Sequence, residues 1–81
     1  MKMPVLTFSN GMLEGFTMKI GVSDNDSKSY MCYQAVRQVV TLLEQLNLVF
    51  LSKKVRNSNF RILESIDGNE ESVYTIEEIT T

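Results

Sequence analysis

Spacing of the apolar residues picks out one element above all others, an amphipathic helix. Cys32, Val36, Val39, Leu43 and Leu46 recur at intervals of four, three, four and three residues. Ala35, Val40, Leu42 and Tyr33 widen that stripe to roughly half the circumference of a helix. A stripe this broad fits a helix lying across a sheet, whereas a coiled-coil seam is narrower. The spacing predicts a helix from about Ser27 to Leu46. Ser23, Asp24, Asp26 and Ser27 all offer N-caps, and the aspartates suit the positive end of the helix dipole. Asn47, a residue that tolerates the left-handed conformation, is the expected stop.

After the helix the pattern changes to strand. Leu48 to Val55 is rich in apolar and β-branched residues. Asn59 to Ile66 alternates, with Phe60, Ile62 and Ile66 on one face and Arg61 and Ser65 on the other. Ser72 to Ile79 contains the run Val73, Tyr74, Thr75 and Ile76. Polar turns at Arg56 to Asn59 and Asp67 to Glu71 separate them, and an antiparallel meander is the expected arrangement.

Before the helix two patterns compete. With period 2, Phe16, Met18, Ile20 and Val22 share a face opposite Thr17 and Lys19. Asn10-Gly11 then forms a type I′ turn after a first strand at Val5 to Ser9. With period 3.6, Met12, Leu13, Phe16 and Ile20 share a helical stripe, but Gly15 and Gly21 weaken that helix by about 1 kcal/mol each. The strand residues Thr7, Phe8, Phe16, Thr17, Ile20 and Val22 favour the first pattern. The expected fold is α+β, a single helix packed on an antiparallel sheet in the order β-β-α-β-β-β. A helix at residues 12–20 would instead move the chain toward a winged-helix-like fold.

Composition bounds the class. The 81 residues, 43% hydrophobic and 22% charged, suit one globular domain over residues 1–81. A chain this short buries only about 60–65% of its unfolded surface, so an oligomer would help it. The net charge of −2 is far from that of a basic DNA coat or an acidic DNA mimic. Cys32 is the only cysteine, which excludes an internal disulfide and fits a reducing, cytoplasmic setting. The longest apolar run, Leu48 to Leu51, is too short for a membrane span, and Met1-Lys2-Met3-Pro4 does not read as a signal peptide.

Catalytic chemistry finds little support, and no enzyme is expected. The chain contains no histidine. Cys32 falls in the apolar stripe, where cysteine acts as a small hydrophobe. Asp24-Asn25-Asp26 opens like a calcium loop, but Lys28, Ser29 and Ala35 occupy positions where a ligand, a turn glycine and a glutamate belong. Glu64, Asp67, Glu70, Glu71, Glu77 and Glu78 make the last third acidic, as a solvated edge would be. A metal-dependent enzyme would have to draw on these carboxylates. No cofactor or metal is expected.

Two surfaces remain as candidates. Lys53, Lys54, Arg56 and Arg61 are four of the eight basic residues and fall within nine positions. On the strand reading they straddle a hairpin turn and crowd one end of the sheet, where they would grip phosphates or an acidic partner. Leu42-Leu43-Glu44-Gln45-Leu46, then Asn47-Leu48-Val49 and a basic hairpin, resembles the recognition helix and wing of winged-helix DNA-binding domains. Ile20-Gly21-Val22-Ser23 resembles the turn before such a helix. That resemblance implies backbone contacts from Lys53, Lys54, Arg56 and Arg61, with Arg37 the charged donor on the reading face. Asn47 stands where that family usually has glycine.

The second surface is the polar side of the helix: Tyr30, Gln34, Arg37, Gln38, Thr41, Glu44 and Gln45. Only two of these are charged, and tyrosine and arginine among uncharged polar residues are common at protein interfaces. The expected function is therefore a small, non-enzymatic protein-interaction module. It would be an inhibitor, adaptor or regulator of the size found in phages and other mobile elements, with another protein as partner and a homodimer through a sheet edge. Nucleic-acid binding through the basic cluster is the alternative, and no membrane association is expected.

Overall fold

The computed structural model describes residues 3–23, 25–66 and 72–79. The long helix forms where the apolar spacing places it. Helix α1 spans Lys28–Gln45, and the Ser27 hydroxyl caps it by accepting from the Tyr30 N–H at 3.1 Å. Asp26, a rival cap, instead accepts from the Ser23 N–H through its carboxylate at 2.8 Å. Asn47, the residue after the C-cap Leu46, stops the helix with a left-handed φ of 61°. The Asn47 N–H donates to the Glu44 carbonyl and the Leu48 N–H to the Leu43 carbonyl. Those two bonds are the pair that defines a Schellman stop.

The next segment corrects the sequence reading. Val49–Arg56, expected as a strand, is a second helix, α2. Its inward residues are Leu51, Ser52 and Val55, a helical spacing, while Leu48, Val49 and Phe50 are exposed. The apolar run that resembled a buried strand thus lies largely on the outside, and a serine lies inside. The Ser52 hydroxyl is satisfied by donating to the Val49 carbonyl at 2.8 Å.

Four strands form a mixed sheet: β1 (Val5–Phe8), β2 (Thr17–Lys19), β3 (Asn59–Ile66) and β4 (Ser72–Ile79), in the spatial order β2-β1-β4-β3. The β3–β4 hairpin matches the expected strands, with antiparallel pairing from Asn59↔Ile79 to Ile66↔Ser72. The rest of the meander does not form. β4 pairs in parallel with β1, placing Leu6, Thr7 and Phe8 beside Tyr74, Thr75 and Ile76. The chain order is therefore β-β-α-α-β-β, an α+β domain with two helices and a mixed sheet.

The expected type I′ turn at Asn10-Gly11 is also replaced. β1 and β2 are antiparallel, but a longer loop with a 3-10 turn at Gly11–Leu13 connects them. The Asn10 side-chain amide explains the difference. Its Nδ2 donates to the Glu78 carbonyl at 3.2 Å, and its Oδ1 accepts from the Glu78 N–H at 2.7 Å. Asn10 thereby continues the β1–β4 pairing through a side chain after the strand has ended. Gly11 follows at φ 76°, and a Cβ there would sit 2.9 Å from the Glu78 Cβ. Both space and conformation call for glycine.

One side of the sheet carries the core. Leu6, Phe8, Ile20, Val22 and Ile76 are buried there with Met31, Cys32, Ala35, Val39, Val40 and Leu43 of α1 and Val55 of α2. Phe16 and Met18 pack against the same cluster while Thr17 and Lys19 are exposed, as the period-2 pattern predicts. Phe8 sits edge-on to Phe16 and Phe60, at centroid distances of 6.1 and 5.9 Å. Within the described residues, no helix is long and apolar enough to cross a membrane.

Candidate functional site

The core-facing stripe of α1 fixes what its opposite side displays. Tyr30, Tyr33, Arg37, Thr41 and Glu44 are exposed and Gln34 is half-buried. Bonds between successive turns order this row. Gln34 Nε2 donates to the Tyr30 hydroxyl at 2.6 Å, Arg37 Nη1 to the Tyr33 hydroxyl at 3.4 Å, and the Thr41 hydroxyl to the Arg37 carbonyl at 3.0 Å. Two shallow depressions flank the row. Gln34, Gln38, Leu42 and Gln45 line one; Tyr33, Val36, Val40, Glu44 and Arg56 line the other; Arg37 and Thr41 border both.

The basic cluster is divided rather than gathered. Lys53, Lys54 and Arg56 occupy the last turn of α2, and Arg61 lies on β3. They do not straddle a hairpin tip, because the segment expected as its first strand is helical. The wing of the winged-helix resemblance is displaced for the same reason. Arg56 pairs with Glu44 across the two helices, and Arg61 with Glu77, its register partner on β4. Lys53 and Lys54 are exposed, and Lys54 Nζ lies 4.7 Å from the Phe50 ring centroid, a cation–π contact.

Several exposed apolar residues escaped the sequence reading. Tyr33, Leu42 and Leu46 were expected in the buried stripe, yet Tyr33 is 58% and Leu46 59% exposed. Tyr33 and Leu42 lie at the stripe's two margins, and Leu46 lies beyond the last helical turn. Phe50, at 74%, is the most exposed large apolar residue among those described. Its exposure follows from α2 being a helix that faces Leu51, Ser52 and Val55 inward, and a serine on the inner face leaves no hydrophobic signal in the sequence.

Cys32 is buried, and burial pushes its thiol above the ordinary value, which disfavours the nucleophilic thiolate. Among the described residues no three carboxylate or cysteine side chains gather to hold a metal. Asp24, Asp67, Glu70 and Glu71 lie outside the described residues. No protein-family profile, curated protein or solved structure matches the chain.

Proposed function

We propose that this chain is a small protein-interaction module, acting as an inhibitor, adaptor or regulator through the outward side of its helices. The observation that carries this reading is the row Tyr30, Tyr33, Gln34, Arg37 and Thr41. It is exposed, ordered by its own hydrogen bonds and lightly charged. Aromatic and arginine side chains held in place lose little freedom on binding, and residues of these types dominate interface energetics. β3 adds a second opportunity. It is an outer strand of eight residues, paired among the described residues only on its β4 side, and such an edge accepts a further strand, including that of a second copy. Nucleic-acid binding ranks behind, because the basic residues are split between α2 and β3 instead of straddling one hairpin turn, and Arg56 and Arg61 each sit beside a carboxylate that would repel phosphate.

Affinity capture from the native cell, repeated after nuclease digestion, tests the reading. Captured proteins should survive digestion. They should be lost, by at least about tenfold, on combining Tyr30→Ala, Tyr33→Ala and Arg37→Glu, with the thermal unfolding profile retained. Loss on digestion, together with tight and salt-sensitive binding to duplex or single-stranded nucleic acid, would replace this reading with the second one.

A further inference from the structure

We propose that the corner where α1 passes into α2 is a docking site for a partner-protein segment that combines apolar side chains with flanking carboxylates. The proposal rests on the interaction-module reading and supplies the chemistry of the partner. Leu46, Leu48, Val49 and Phe50 fall within five positions, and all are exposed. Scattered exposed apolar residues need no explanation, but these four are grouped on the Schellman turn and the first turn of α2. The same short helix buries Ser52. α2 therefore turns a polar side chain inward and its largest apolar side chain out.

Charge selects among occupants. Residues 42–56 contain Lys53, Lys54 and Arg56 but a single carboxylate, Glu44, so the segment carries +2 in a chain of net −2. Glu44 pairs with Arg56, so the charge left unbalanced is that of Lys53 and Lys54. Lys53 and Lys54 make no ion pair among the described residues, and Lys54 rests over Phe50. At the start of α2 the uncapped N-terminus lies three residues from the C-terminus of α1, so the partial charges of the two helix ends offset each other there. The exposed apolar residues are thus bordered by positive charge on the α2 side, where Lys53 and Lys54 follow Phe50.

A second copy seated here about a two-fold axis would bring lysines toward the same lysines. A nucleic acid would set phosphates against Leu46, Val49 and Phe50. An acidic, apolar protein segment satisfies both the apolar residues and the lysines beside them, with Phe50 as the anchor.

Two synthetic amphipathic peptides with the same leucine face, one flanked by glutamates and the other by lysines, test the site by fluorescence anisotropy at about 50 mM salt, where charge is weakly screened. The glutamate peptide should bind the wild-type chain and the lysine peptide should not. Phe50→Ser should weaken binding at least about tenfold. Lys53→Glu with Lys54→Glu should reverse the preference between peptides, with circular dichroism establishing that each variant keeps its fold. Equal binding of both peptides, or no binding of the glutamate peptide, overturns the proposal. So does a dimer or phosphatidylserine-vesicle binding that Phe50→Ser abolishes while peptide binding persists. If the corner fails while nuclease-resistant capture through Tyr30, Tyr33 and Arg37 survives, the interaction-module reading stands without this site.

Discussion

α1 and α2 are consecutive helices separated by three residues, and they are held in different ways. α1 runs for eighteen residues, begins on a hydroxyl cap and buries Met31, Cys32, Ala35, Val39, Val40 and Leu43. α2 runs for eight, has no side-chain cap and buries only Ser52 and Val55. Eight residues are too few for a helix to persist unaided in water, so α2 depends on docking. α1 therefore builds the core, and α2 is an attachment whose outward side is free to display Phe50.

Cavity mutations should separate these roles, and they carry the largest expected effects. Leu43→Ala should cost about 2–5 kcal/mol and lower protection from hydrogen exchange throughout the core. Val55→Ala should cost about 1.5–3 kcal/mol, the worth of a fully buried valine. Its exchange signature should be local, with α2 amides losing protection before those of α1. Uniform loss of protection in both variants would break the comparison and make α2 as integral as α1.

The joint between the helices should contribute less. Asn47 holds a left-handed conformation that costs an ordinary side chain about 1–2 kcal/mol. Asn47→Ala should destabilise by about 1 kcal/mol in urea unfolding, while Asn47→Gly should be neutral or slightly stabilising. If alanine were tolerated without loss, the Schellman stop would not be what redirects the chain into α2.

The same contrast shows what the sequence made legible. α1 was readable because burial and hydrophobicity agree along Cys32, Val36, Val39 and Leu43, and its stop was readable because Asn47 is a residue that accepts positive φ. The β3–β4 hairpin was readable from its alternation. α2 was not, because polarity and burial disagree there: Ser52 is inside, and Val49 and Phe50 are outside. Local pattern cannot detect such an inversion, since it follows from the docking of α2 onto α1. The parallel β1–β4 pairing joins residues nearly seventy positions apart and leaves no local trace. For the candidate site, the row from Tyr30 to Glu44 was legible as the complement of the stripe. The basic cluster is close in sequence but not on one hairpin, because Val49–Arg56 is helical and the fold sends Arg56 and Arg61 to different carboxylates.

The smallest expected effect belongs to the ion pair that joins the two helices. Arg56 and Glu44 are both exposed, so their attraction is screened by water and offset by ordering two flexible side chains. A double-mutant cycle of Glu44→Gln and Arg56→Gln should give a coupling of about 0–1 kcal/mol, falling as salt is raised toward about 1 M, where the screening length is near 3 Å. This measurement sharpens the contrast between the helices. A weak coupling leaves Val55 as the side chain that docks α2. A coupling above about 2 kcal/mol, outside the usual range for exposed pairs, would mean that charge holds the second helix. Glu44→Gln should then free the α2 amides to exchange, as Val55→Ala is expected to do.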